Sequence, residues 1–271
     1  MVKVTLNIKW LSLLVSILLV IGYGIRTTGI GLLHIKLALK MSSGEQITGK
    51  YQLPYRLYEP KGNDMKPLVL VLQSAYGRGD DNFRQLSPTV EQFVSNEFQS
   101  LESAFILAPQ CPAGLEWNNN PPKSPPFVNY DMDGHTQSWR QDLIIEIINN
   151  LIEQKRVDPT RIYITGESMG ASGSWEFLYR FPNTFAAAII LNGRSDPLKA
   201  KIIGQTPIKI FHGKHDTIAP ISNSISMLSS LKVAGADVEL VTLNEDHIIS
   251  NTVYTEQLFK WLLNNHKNTG I

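Results

Sequence analysis

Along most of the chain the apolar positions follow one of two periods, and the switches between them outline a fold. "PLVLVLQ" (67 to 73) and "AFILAP" (104 to 109) are short unbroken apolar runs, the pattern of strands buried on both faces of a parallel sheet. Similar runs predict strands at "RIYIT" (161 to 165), "AAAIIL" (186 to 191), "PIKIFH" (207 to 212) and "DVELVTL" (237 to 243). "LHIKLALKM" (33 to 41) and "YRLYEP" (55 to 60) alternate or nearly alternate in polarity and predict two early strands. From 138 to 156 the period becomes helical, with Trp139, Leu143, Ile144, Ile147, Ile148, Leu151 and Ile152 on one face, until Pro159 forbids continuation. Further helices are predicted at 170 to 181, 221 to 234 and 254 to 264. Strands and helices taken in turn predict an α/β class chain: a mostly parallel central sheet, helices on both faces, one domain over 27–271. Ligands of such sheets bind beyond the carboxyl ends of the strands, so the residues just after each strand are the candidates for chemistry.

Two segments break the rhythm. Lys3 and Lys9 precede "WLSLLVSILLVIGYGI" (10 to 25), an uncharged apolar run ended by Arg26. A basic start and a run of this length predict that residues 1–26 are a signal peptide or an N-terminal membrane anchor, with the rest exported to the periplasm or the exterior. A buried N-terminal helix is the alternative. The second segment, residues 111–137, holds five prolines and four asparagines without strand or helix period. It begins where the 104 to 109 strand ends, which predicts a long loop or lid over the carboxyl edge of the sheet.

Composition narrows the partners. Of 271 residues, 43% are hydrophobic and 18% charged, ample for one large core, and 25 basic against 24 acidic residues give no cationic surface that points to nucleic acid. Cys111 is the only cysteine, so an internal disulfide is impossible, and H-x-H and C-x-x-C spacings are absent. No metal or organic cofactor is expected.

The strongest candidate for chemistry is "YITGESMGASGSW" (163 to 175), in which an apolar strand runs into Gly166-Glu167-Ser168-Met169-Gly170 and then a helix. The pentapeptide alone arises by chance, but strand before and helix after is the setting of a nucleophile elbow. Small neighbours allow the sharp bend, and the Met169 N–H at the helix start suits a developing oxyanion. A serine hydroxyl needs a base and a group to orient that base, in chain order Ser, acid, His in this fold. Asp216 stands just past the 207 to 212 strand and His247 just past the 237 to 243 strand, on the same sheet edge as Ser168. Asp196 in "NGRSDP" is an alternative acid or a turn starter. His212 reads as a structural residue at a strand end, and His215 as its surface neighbour. A second oxyanion amide is expected from Ser74, Ala75 or Tyr76, in the loop "QSAYGRGDDN" after the 67 to 73 strand.

Across residues 54 to 264 the chain resembles the α/β-hydrolase serine esterases: bacterial carboxylesterases related to dienelactone hydrolases, feruloyl esterases and prolyl-oligopeptidase-like peptidases. The similarity rests on "LPYRLYEP", "PLVLVLQSAYGRGDDN", "LAPQCP", "VDPTRIYITGESMGASGSW", "FAAAIILNGRSDP" and "FHGKHDTIAP" in that order. It implies Ser168 as nucleophile, Asp216 as acid, His247 as base, and Met169 with Ala75 as oxyanion donors. The chain departs from the pattern at Gln73-Ser74, where His-Gly is usual, at Ala171, where a second glycine is usual, and at Arg194, where small residues are usual. Arg194 beside a cleft favours an anionic substrate. Trp117 and Tyr76 are further candidates for substrate binding. The expected activity is hydrolysis of a small-molecule or polysaccharide-linked carboxylic ester. A serine peptidase and a hydrolase fold that binds without turnover are the alternatives.

Overall fold

The unbroken apolar run at 67 to 73 has a direct structural cause. Leu68, Leu70 and Leu72 face one core and Val69 and Val71 the other, so neither face of this strand meets water. The structure, a computed structural model, describes residues 31–118, 124–132, 138–154 and 156–267. Its strands are β1 (Ser42–Thr48), β2 (Tyr51–Tyr58), β3 (Lys66–Leu72), β4 (Phe105–Pro109), β5 (Val157–Glu167), β6 (Ala187–Leu191), β7 (Ile208–Gly213) and β8 (Val238–Leu243). They form one sheet in the order β1-β2-β4-β3-β5-β6-β7-β8. The pairs β1–β2 and β2–β4 are antiparallel and the others parallel. The carboxyl ends of β5, β7 and β8 therefore reach the same edge.

Helices cover both faces. On one side α4 (Trp139–Glu153), α5 (Met169–Arg180) and α7 (Ser222–Val233) bury residues such as Leu143, Ile147, Trp175 and Met227. On the other, α2 (Pro88–Val94), α3 (Asn96–Leu101) and α9 (Glu256–Asn264) bury Val90, Phe93, Phe98 and Phe259. Short helices α6 (Ala200–Ile203) and α8 (Ser250–Val253) lie between them in the chain. Ser87, Ser95 and Thr255 cap α2, α3 and α9 by accepting the amides of Val90, Phe98 and Leu258, which satisfies donors that have no partner inside the helix.

The segment predicted as a strand over 33 to 41 is instead helix α1 (Leu32–Ala38). Alternation of single apolar residues also places Leu33 and Leu37 one helical turn apart, and these two pack on the core while Ile35 and Leu39 stay exposed. The first strand lies further on, in the polar stretch "SSGEQIT", whose pairing with β2 turns at Gly49 with φ +61°. An edge strand exposed along most of its length carries little apolar signal.

The expectation of a signal or membrane anchor, and of export and membrane association through it, is corrected. Among the described residues no helix is long and apolar enough to cross a membrane. The segment 1–26 to which the anchor was assigned lies outside the described residues.

Candidate active site

Ser168 sits between the last residue of β5 and the first of α5 with φ +58° and ψ −116°, a conformation that L residues adopt only when the surroundings enforce it. The surroundings here are backbone. A Cβ on Gly166 would lie 2.4 Å from the Gly170 carbonyl carbon, and one on Gly170 would lie 2.0 Å from the Leu72 carbonyl oxygen. Gly166 is thus required for the elbow to close on itself, and Gly170 for it to pack against the end of β3. The Ser168 N–H donates to the Leu191 carbonyl at 2.9 Å, fixing the elbow to the end of β6. Ala171, where glycine is usual, is accommodated by its neighbour: a Cβ on Gly193 would lie 2.7 Å from the Ala171 methyl.

Asp216 and His247 converge on this serine. His247 Nε2 is 2.7 Å from Ser168 Oγ, and His247 Nδ1 is 2.7 Å from Asp216 Oδ2. The other carboxylate oxygen, Oδ1, accepts the N–H groups of Ile218 and Ala219 at 2.9 and 2.8 Å. Burial pushes the Asp216 carboxyl up, but hydrogen bonds from His212, His247 and the Ala219 N–H outweigh it and hold the group well below the usual carboxylate range. An ionised acid that touches Nδ1 directs the second nitrogen, Nε2, to accept the serine proton.

A second grouping of the same residue types lies close by. His212 Nδ1 is 2.7 Å from Ser224 Oγ, and His212 Nε2 is 3.4 Å from Asp216 Oδ2. It is sealed: His212 is 0% and Ser224 2% exposed, so no substrate reaches that hydroxyl. Ser168, by contrast, lines a cleft of about 290 Å³ together with Ala75, Met169, Phe127, Asn192 and Arg194.

The loop after β3 folds as a 3₁₀ turn over Ala75–Gly77, which brings Ala75 to the cleft. Met169 opens α5, where the first amides have no intrahelical acceptor. The turn is braced from behind. The Trp117 indole donates to the Gln73 carbonyl at 3.0 Å, Gln110 Nε2 to the Gly77 carbonyl at 3.2 Å, and Arg78 Nε to the Leu115 carbonyl at 2.5 Å. Gln73, the departure in this loop, is buried against Gly77, and its carboxamide atoms have no hydrogen-bond partner among the described residues.

One wall of the cleft is charged. Glu116 is 2.7 Å from Arg78 and 3.6 Å from Arg194, while the Arg194 guanidinium lies over the rings of Phe127 and Tyr130. Burial raises the Glu116 carboxyl above its ordinary range, against the pull of Arg194 and Arg78. Two guanidiniums and one carboxylate leave this wall cationic.

Not every candidate reaches the cleft. Trp117 is 1% exposed and packs its Cβ side on Gly173, so it supports the loop rather than lining the cavity. Tyr76 is 86% exposed and borders a separate cavity of about 450 Å³ with Gln73 and Glu167. Asp196 accepts the amides of Met132 and Leu198, tying the described part of segment 111–137 to the loop after β6. Within that described part Phe127 N–H donates to the Ile218 carbonyl at 2.7 Å, which places Phe127 beside the loop after β7. Among the described residues no group of three or more His, Cys, Asp or Glu is arranged to hold a metal ion.

Two contributors escape sequence reasoning. Asn192, with φ +52°, donates from its side chain to the His247 carbonyl at 2.5 Å and accepts the Gly213 N–H at 2.9 Å. Glu167 Oε1 accepts the amides of Ile249 and Ser250 at 2.7 and 3.0 Å. Together they fix the loop that carries His247. Their only sequence signal is adjacency, Glu167 to Ser168 and Asn192 to the end of a strand.

The model of the dienelactone hydrolase family matches residues 53–247. Among solved structures, a thermostable esterase is 27% identical with a TM-score of 0.72 and covers 84% of this chain. The chain spans 64% of that esterase's length. A ferulic acid esterase (15% identity, TM-score 0.61) matches over 83% of this chain and 97% of its own, and an acylaminoacyl peptidase of Pyrococcus horikoshii (14%, 0.54) over 85% and 41%. At that identity these two share the fold. No curated protein matches the chain.

Proposed function

The chain belongs to the dienelactone hydrolase family, and from that premise we propose that it is a serine hydrolase of carboxylic esters with Ser168 as nucleophile, His247 as base and Asp216 as acid. The observation that carries the proposal is the continuous relay of two 2.7 Å contacts, from Asp216 Oδ2 through His247 to Ser168 Oγ. In this mechanism Ser168 Oγ attacks the ester carbonyl while His247 Nε2 takes its proton. The Met169 and Ala75 N–H groups hold the oxyanion, and Asp216 stabilises the imidazolium. The C–O bond to the alcohol breaks as His247 returns the proton to the leaving oxygen. Water, deprotonated by the same nitrogen, then releases the acid and restores Ser168.

The small cleft suits a short acyl group, and Arg194 favours one that carries a negative charge. The described residues Gly114, Glu116 and Phe127 of segment 111–137 form a wall of this cleft. Turnover of a nitrophenyl ester and of a peptide anilide tests the activity. Hydrolysis of the ester with little of the anilide, lost in Ser168→Ala, is the expected result. Preference for the anilide would replace this reading with a peptidase.

A further inference from the structure

His212 is a fully buried titratable group that the proposed mechanism leaves unused, yet it approaches the same oxygen of the acid as His247 does. Its Nε2 is 2.8 Å from the Ala219 carbonyl oxygen, an atom that only accepts, so Nε2 carries the hydrogen. In the neutral ring Nδ1 is then the acceptor for the Ser224 hydroxyl at 2.7 Å. The same Nε2–H lies 3.4 Å from Asp216 Oδ2, the oxygen on which His247 rests. His212 belongs to β7, Ser224 to the first turn of α7, and Ala219 to the loop between them that carries Asp216. One ring thus joins strand, loop and helix around the carboxylate. Asp216, which also holds His247, is the ionisable group the ring contacts, while Lys214, His215, Glu245 and Asp246 are exposed.

We propose that His212 is a positioning residue for the proposed acid: its Nε2–H, oriented by Ser224, holds the 213–219 loop so that Asp216 Oδ2 stays on His247 Nδ1. The inference rests on the assignment of Asp216 and His247 above. Without the ring N–H, the carboxylate keeps the two amide bonds to Oδ1, but the loop loses its tie at the Ala219 carbonyl and Oδ2 loses its second, longer contact. The hydrogen bond to His247 then loosens, and misplacement of catalytic groups by about an ångström costs up to about a hundredfold in rate.

The test compares His212→Phe, which keeps a planar ring without donors, His212→Gln, which keeps a terminal N–H, and Ser224→Ala. The readouts are kcat and KM on a nitrophenyl ester per fluorophosphonate-titrated site, and the low-field proton resonance of His247 Nδ1–H. Phe is expected to lower kcat about ten- to a hundredfold with KM little changed, and to broaden or shift the resonance upfield. Gln is expected to restore most of both, and Ser224→Ala to fall between. Wild-type kcat and resonance in His212→Phe would overturn the proposal, as would a loss confined to the number of titratable sites, the mark of a merely structural role. If Phe prevents folding, Ser224→Ala decides: unchanged kcat and resonance there overturn it. Failure of the wild type to react with ester or label would instead contradict the nucleophile assignment. The resonance would still report on the hold that His212 has on the Asp216–His247 bond.

Discussion

At Arg194 a single side chain sets the charge of the cleft. Its pairing with Glu116 at 3.6 Å is longer than the 2.7 Å pair of Arg78, and two aromatic rings support its guanidinium plane. Of the two cations it is the more weakly paired, and therefore the one we propose for an incoming carboxylate. One charge-assisted hydrogen bond is worth about 1.5–3 kcal/mol, or roughly a tenfold change in binding at the lower end. Arg194→Leu is therefore expected to raise KM about tenfold for a nitrophenyl hemisuccinate and to leave KM for nitrophenyl acetate nearly unchanged. Equal effects on both esters would show that Arg194 acts on the fold of the cleft and not on substrate charge.

Elements place these residues, and the elements were unequally legible. The strands β3 to β7 were readable because burial on one or both faces leaves runs of apolar residues, β8 because Val238, Leu240, Val241 and Leu243 pack partly on the cores, and α4 because its apolar face repeats at helical spacing. Ser168, Asp216 and His247 were readable for the same reason, since each follows a strand. Helix α1 was misread because isolated alternating residues satisfy both periods, and α2 and α3 are too short to display one. Trp117, expected to bind substrate, is a strut instead: an indole fills a core as readily as it lines a cleft, and this ring is buried. It is held by Gly173, where a Cβ would come within 2.6 Å, and by the Gln73 carbonyl. Trp117→Ala is expected to destabilise the protein by about 3–5 kcal/mol in urea unfolding, and to lower kcat by loosening the turn that presents Ala75. Trp117→Phe, which refills most of the volume and loses the N–H, should cost about 1 kcal/mol. A variant of Trp117→Ala with wild-type stability would contradict the strut.

For the whole molecule, the two cores on either side of the sheet bury Cys111 and Tyr163 and partly bury Tyr130 and Tyr254, groups that ionise only at high pH. Burial pushes the Cys111 thiol up to about 12 from its ordinary 9.0, and raises the hydroxyls of Tyr130, Tyr163 and Tyr254 above their ordinary 10.0. In the unfolded chain these groups lose protons near their ordinary values, while the folded chain keeps them. The unfolded state therefore binds fewer protons as pH rises, and stability falls. The decline begins near the ordinary thiol value of 9.0 and steepens past 10.0, with a limiting slope of about 1.4 kcal/mol per pH unit for each group. Urea unfolding across this range is expected to show it, with the first part reduced in Cys111→Ala. A flat profile would contradict the burial of these groups.

The relay from Asp216 to Ser168 is the centre of the account, and it differs from the sealed grouping at Ser224 in one respect that chemistry can read, namely access. Reaction of the folded chain with a fluorophosphonate, followed by intact-mass and peptide mass spectrometry, locates the reactive hydroxyl. One label per chain is expected on Ser168, none in Ser168→Ala, and none on Ser224. An unlabelled folded protein, or a label carried by any other serine, would contradict that relay.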